Sequence, residues 1–175
     1  MSNPTLGIIG GGQLGSMLAV AAKKLNVKTV IFSDDLEAPA QNFSDEFIYG
    51  NYDDQNKIKE FINKTEIITY EFENIPYNTL NEINKIKPVL PKPSVNRIIQ
   101  HRLAEKDFIN KLNIRTTQYV SIEEKSQINA VQELLPGLLK TTTLGYDGKG
   151  QHLINSIEDL KDVNIDFDKR YILEK

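Results

Sequence analysis

A short apolar run, Leu6-Gly7-Ile8-Ile9, stops at Gly10-Gly11-Gly12-Gln13-Leu14-Gly15, and the residues that follow carry Leu14, Met17, Leu18, Ala21 and Leu25 at helical spacing. A second β-branched run over residues 27–32 ends at Ser33-Asp34-Asp35. Strand, glycine turn, helix and strand in that order predict a βαβ unit with a parallel pair of strands, because only a crossover returns the chain to start a parallel neighbour. The turn satisfies Gly-x-Gly-x-x-Gly, with Asp34 about twenty residues further on, as in dinucleotide-binding folds. Its physical content is broader. A tight turn with free amides at a helix N-terminus suits any anion, and the same glycines also serve plain helix–strand packing with no ligand.

The pattern continues through a third strand at residues 47–49 and a helix capped by Asp53 or Asp54 that carries Ile58, Phe61 and Ile62 on one face. A buried strand over residues 67–70 and a helix near residues 79–86 follow. Pro88, Pro91 and Pro93 then end regular structure and form a semi-rigid connection, which places the domain boundary there, with domains at 1–93 and 94–175. Beyond it, Ser94 is expected to cap a helix containing Ile98 and Ile99, and a second helical stretch holds Leu103, Phe108, Ile109 and Leu112. Residues 118–122, 138–142, 151–154 and 171–173 read as strands, with a helix around 127–135. That mixture is a small α+β unit.

Bulk properties narrow the function classes. Of the 175 residues, 39% are hydrophobic and 26% charged, ordinary for a globular chain, and the net charge of −3 argues against a broad nucleic-acid footprint. No cysteine is present, which excludes disulfides, thiolate catalysis and Cys-based zinc sites, and the two histidines cannot build a His-rich metal centre. The first residues lack a basic segment ahead of an apolar one, and no apolar run approaches the ~20 residues a bilayer span needs. A cytoplasmic protein acting on small molecules is the expectation.

Two segments carry chemistry. In Lys140-Thr141-Thr142-Thr143-Leu144-Gly145-Tyr146-Asp147-Gly148-Lys149-Gly150-Gln151, a strand-end lysine precedes a three-glycine loop with its own cation. Such a loop can wrap backbone amides around polyphosphate oxygens while Lys140 and Lys149 supply charge. The Asp147-Gly148 pair also predicts a type I′ hairpin turn in any protein, and both readings can hold together. In Tyr70-Glu71-Phe72-Glu73-Asn74-Ile75-Pro76, two carboxylates follow a buried strand, where ligand groups gather in open α/β sheets. If the chain stays extended, Glu71 and Glu73 point the same way and could accept from a substrate amine or ribose hydroxyls. The alternative is a solvated loop with surface glutamates.

Taken in order, the glycine turn, the Tyr-Glu-Phe-Glu-Asn segment, the helix from Arg102 to Lys106, the loop ending at Gln151 and the final Tyr171-Ile172-Leu173-Glu174-Lys175 resemble the ATP-grasp superfamily. Within it they are similar to the 5-(carboxyamino)imidazole ribonucleotide synthases of purine biosynthesis. The resemblance implies a Rossmann-like parallel sheet domain followed by a small α+β ATP-grasp lid domain, with a C-terminal ATP-grasp domain missing. It also implies ATP- and bicarbonate-dependent carboxylation of aminoimidazole ribonucleotide. Carried over by position, Arg102, Lys140, Gly145, Tyr146, Asp147, Gly148, Lys149, Gly150, Gln151, Glu174 and Lys175 are implied ATP contacts, with Lys140 and Lys149 stabilising phosphate charge in catalysis. Gln13, Leu14 and Glu73 are the implied ribonucleotide contacts.

Magnesium is the implied cofactor beside ATP, with ligands expected beyond residue 175 and none within the chain, so these residues alone are not expected to turn over. The implied partners are ATP, bicarbonate and aminoimidazole ribonucleotide, without nucleic acid or membrane; a homodimer is left open. Thr142, Thr143 and Leu144 depart from the arginine or glycine common in the family, so a stiffer, less charged loop entry is expected. The rival reading is an NAD(P)-binding oxidoreductase or nucleotide-sensing module built on the first βαβ unit. A third is an interaction domain without a ligand.

Overall fold

The computed structural model of the protein describes residues 4–144, 150–163 and 170–175. Chain contacts divide it into two units, Met1–Arg97 and Ile98–Lys175. The division falls inside a short helix, so it sits a few residues after Pro93.

The first unit is built on four parallel strands, β1 (Leu6–Ile9), β2 (Thr29–Ser33), β3 (Glu46–Tyr49) and β4 (Ile67–Tyr70), in the order β3-β2-β1-β4. Every residue of β2 is buried, as expected of a strand covered on both faces of a parallel sheet. Ile9 lies level with Phe32 on one side and with Tyr70 on the other. That register brings the glycine turn, the Ser33-Asp34 end of β2 and Glu71 out at one edge of the sheet.

One face of this sheet packs Ile9, Phe32, Ile48, Phe61, Ile68, Leu80 and Ile83 into the main core, and the opposite face holds Ile8, Ile31 and Ala40. Helix α2 (Gln55–Lys64) starts where Asp54 accepts from the amides of Asn56 and Lys57, and it buries Ile58, Phe61 and Ile62 as its spacing predicts. Helix α3 (Tyr77–Asn84) adds Leu80 and Ile83. The proline segment is not merely a connection, because Val89 forms a parallel bridge to Ile68 and is fully buried.

Helix α1 (Gln13–Lys24) forms where expected but turns a different stripe inward. Gly15, Ala19 and Ala22 are buried, whereas Leu14, Met17 and Leu25 are 57%, 60% and 70% exposed. The reason is steric: a Cβ on Gly15 would lie 2.8 Å from the Gly10 carbonyl oxygen, so the helix sits too close to the turn for its large residues to face the sheet. Helix α4 (Pro93–Ile99) begins two residues earlier than a cap at Ser94 would place it. Proline occupies its first turn, where a missing N–H costs nothing, and Ser94 lies inside the helix rather than capping it.

The second unit carries an antiparallel sheet of β5 (Tyr119–Ile122), β6 (Gly137–Thr141), β7 (Gln151–Ile154) and β8 (Tyr171–Glu174), ordered β5-β8-β6-β7. One face buries Ile122, Leu139, Ile154, Tyr171 and Leu173 against Val131 and Leu160. Helix α5 (Arg102–Lys111) precedes the sheet. The stretch expected as an α-helix is a 3-10 run, Lys125–Leu134, and α6 (Ile157–Asp162) is an element the apolar spacing did not show. α6 is set by its cap: Ser156 accepts from the Asp159 amide while Asp159 accepts from the Asn155 and Ser156 amides.

Candidate functional site

In the first unit the glycine turn already holds an anion of the protein's own. The Gly12 amide donates to Glu71 Oε1 at 2.8 Å, while the Glu71 amide donates to the Ile9 carbonyl at 3.0 Å. Gly10 adopts φ +103°, and a Cβ there would fall 2.7 Å from Glu71 Oε1, so glycine is required both for the turn and for the approach of this carboxylate. The expected common direction of Glu71 and Glu73 is not realised. Extended structure stops at Tyr70, Ile75 N–H bonds back to the Phe72 carbonyl, and Glu73 lies in the resulting turn. Sequence reasoning named both carboxylates as possible acceptors but carried only Glu73 over as a ribonucleotide contact, although the place of Glu71 directly after β4, beside β1, was a usable signal.

A cleft of about 240 Å³ opens at this edge, lined by Gly10, Gly11, Gly12, Ser33, Asp34, Asp35, Ala38, Tyr52, Glu71 and Phe72. Gln13 and Leu14 occupy the exposed first turn of α1 and, with Glu73, are not among its lining residues. Burial, reinforced by the neighbouring Asp34 carboxylate, pushes the Tyr52 hydroxyl well above the ordinary tyrosine range.

Because the folded form resists ionising, this group contributes stability that is complete below the unfolded value of about 10 and is lost as pH rises above it. The limiting slope is ~1.4 kcal/mol per pH unit for one group. Urea denaturation of the first unit at pH 8 and at about pH 11 should show a smaller alkaline loss in Tyr52→Phe than in the unsubstituted protein. Equal losses would remove Tyr52 as the cause.

In the second unit, strand pairing gathers several of the expected ATP residues. Lys140 on β6 and Glu174 on β8 project from the same sheet face, since Lys140 is paired with Ile172 and Leu138 with Glu174. The Lys140 ammonium donates to Glu174 Oε2 at 2.9 Å, and both side chains are mostly buried. At the end of β6, Arg102 donates through Nη1 to the Thr141 carbonyl at 3.3 Å and through its amide to the Thr142 carbonyl at 2.9 Å. Gly150, at φ +70°, accepts at its carbonyl from the Thr141 amide, and Gln151 is paired with Lys140 across the hairpin.

Lys175 is held differently. Its amide donates to Gln118, its carbonyl accepts from Thr117, and its Nζ donates to the Glu133 carbonyl at 3.3 Å, so its side chain does not join the Lys140 cluster. The loop residues Gly145, Tyr146, Asp147, Gly148 and Lys149 lie outside the described residues. At the loop entry, Thr142 is buried and donates through both its amide and its hydroxyl to the Arg170 carbonyl, while Leu144 takes φ 59°.

Lys106 was missed as a member of this cluster. Its Nζ stands 3.5 Å from Glu174 Oε1. Its position one turn beyond Arg102 on α5 was the available signal. Among the described residues no three His, Asp or Glu side chains converge as a metal site, and no helix is long and apolar enough to cross a membrane.

Comparison with known proteins bears on both units. Residues 3–100 match the family model described as the ribonucleotide synthetase preATP-grasp domain, and residues 107–175 match that of the ATP-grasp domain. The chain is 37% identical over 162 residues to the N5-carboxyaminoimidazole ribonucleotide synthase of Brucella melitensis, covering 91% of this chain and 45% of that protein. The Staphylococcus aureus (strain COL) protein of the same name is 36% identical over 160 residues, covering 90% and 43%.

The crystal structure of the S. aureus synthetase complexed with ADP superposes with a TM-score of 0.90 at 34% identity, covering 98% of this chain and 47% of that one. A second ADP complex of an N5-carboxyaminoimidazole ribonucleotide synthetase superposes with a TM-score of 0.92 at 35% identity, covering 100% and 47%. The chain thus spans a little under half the length of these relatives. With the preATP-grasp match taking in more than half of its residues and the ATP-grasp match most of the remainder, the chain belongs to the ATP-grasp ribonucleotide synthetase family.

Proposed function

We propose that these residues form the ribonucleotide-binding unit and one wall of the ATP site of a cytoplasmic enzyme that carboxylates aminoimidazole ribonucleotide with ATP and bicarbonate. Residues 1–93 are assigned to the ribonucleotide and 94–175 to ATP. In the first step a bicarbonate oxygen bonds to the γ-phosphorus as the bond to the ADP oxygen breaks, giving carboxyphosphate and ADP. The substrate's exocyclic amine then bonds to the carboxyl carbon, phosphate leaves, and the amine loses a proton. Lys140 and Lys149 offset phosphate charge in the first step, Arg102, Gln151, Glu174 and Lys175 position the nucleotide, and the residue 145–151 loop excludes water from the labile intermediate. Gln13, Leu14 and Glu73 are assigned to the ribonucleotide. Magnesium would supply further charge neutralisation at the phosphates; the described residues offer it no ligand set, and no step here depends on one.

The observation that carries this reading is the placement of Lys140 and Glu174, both within residues matching the ATP-grasp domain, on one face of the second-unit sheet, with Arg102 bonded to the end of β6. The dinucleotide alternative is disfavoured by Glu71. A carboxylate already occupies the Gly12 amide that a pyrophosphate would need, and a second anion there would meet its repulsion. Calorimetric titration with ATP, NAD and aminoimidazole ribonucleotide tests the choice. ATP should bind, NAD should not, and Gly12→Val should weaken ribonucleotide binding while sparing ATP, because a Cβ at Gly12 would stand 3.1 Å from Glu71 Oε1 in the first-unit cleft. Saturable NAD binding that Gly12→Val abolishes, with no ATP binding, would sink the assignment.

A further inference from the structure

The chemistry proposed above uses Lys140 and gives Lys106 no task, yet the two lysines share one carboxylate. Lys106 Nζ lies 3.5 Å from Glu174 Oε1 and Lys140 Nζ lies 2.9 Å from Glu174 Oε2. The three side chains are only 16%, 19% and 11% exposed for Lys106, Lys140 and Glu174. Lys106 also stands over the Tyr119 ring, 5.4 Å from its centroid, and Tyr119 is the residue paired directly with Glu174 in the sheet. The Tyr119 hydroxyl donates to Asp107 at 2.6 Å and accepts from Asn110 at 3.1 Å, both on the helix that carries Lys106. Helix and strand are therefore tied together around this group, and Lys106 is held in place from two sides.

Two cations on one carboxylate leave one positive charge over. Were Glu174 paired with Lys140 alone, the ion pair would be neutral, and a phosphate approaching Lys140 would have to compete with a fixed anion in a partly desolvated setting. With Lys106 taking one oxygen, Lys140 keeps donors and charge for an incoming anion.

We propose that Lys106 is a positioning residue of the ATP site, which acts through Glu174 to keep that carboxylate from neutralising Lys140 and so preserves the positive charge that meets the nucleotide's phosphates. This rests on the ATP-site reading given above, and it separates charge from architecture. Loss of Lys106 should weaken ligands that carry phosphates and leave the bare nucleoside unaffected.

The test is calorimetric titration of the unsubstituted protein, Lys106→Met and Lys106→Arg, using ATP and adenosine as ligands. Methionine keeps the apolar stem over Tyr119. Lys106→Met should bind ATP on the order of 10-fold more weakly, equivalent to ~1.4 kcal/mol, with adenosine affinity unchanged. Lys106→Arg should restore ATP binding, since a guanidinium keeps the second positive charge on Glu174. A fold defect would instead reduce adenosine and ATP binding together. ATP affinity in Lys106→Met equal to that of the unsubstituted protein, or equal losses for ATP and adenosine, would overturn the inference while leaving the ATP site in place. No ATP binding by the unsubstituted protein would overturn the ATP-site reading and this inference with it.

Discussion

Phe61→Ala should destabilise the first unit more than any substitution at its sites. The ring is fully buried, its centroid is 5.6 Å from that of Phe32, and it lies directly over the β1 backbone, where a Cβ on Gly7 would meet Phe61 Cζ at 2.6 Å. Gly7 and Phe61 are therefore two halves of one contact. Gly7 has no side chain to fill the space an alanine would leave, and the strand that ends in the glycine turn would lose its support. Truncation of a buried phenylalanine costs about 3–5 kcal/mol, against a typical domain stability of roughly 5–15 kcal/mol. At roughly 4–8 °C per kcal/mol for a unit of this size, the midpoint of thermal unfolding followed by circular dichroism should drop by on the order of 15 °C or more. A drop under about 5 °C would mean that the helix collapses onto Gly7 and that the core is more plastic than its packing implies.

Lys140→Ala should produce the largest loss in nucleotide binding. A charge-assisted contact to a phosphate is worth about 1.5–3 kcal/mol, which corresponds to roughly a 10- to 150-fold weaker affinity for ATP. The fold should tolerate the change, because Glu174 keeps Lys106 as a partner when Lys140 is gone and no buried carboxylate is left unpaired. That distinguishes it from the removal of one member of an isolated buried pair, where the abandoned charge dominates the effect. Titration with ATP beside thermal unfolding separates the two outcomes. Unaltered ATP affinity in a folded Lys140→Ala protein would remove Lys140 from the site.

Much of the architecture was legible from local pattern. Continuous apolar runs announced the strands of both units, and Asp54 with Ile58, Phe61 and Ile62 marked α2, because period and capping are properties of neighbouring residues. The glycine turn, the Lys140 loop and the order of the motifs also pointed to the family. The sequence by itself therefore determined where most of the elements lie and that a parallel-sheet unit precedes an α+β one.

Tertiary structure decided what depended on approach distance or on partners far apart in the chain. Leu14, Met17 and Leu18 have the spacing of a buried stripe, yet the closeness of α1 to the Gly10 carbonyl selects Gly15, Ala19 and Ala22 as the inward face. Glu71 takes the Gly12 amide only because β4 lies beside β1, across 59 positions of sequence, and this made the turn's ligand a question of pairing order rather than of motif. Lys106 gains its place by the same route. Nothing local to α5 reveals that β8 will carry Glu174 between it and Lys140, since a carboxylate shared by two cations is a property of strand register and helix placement, which no single stretch of residues encodes.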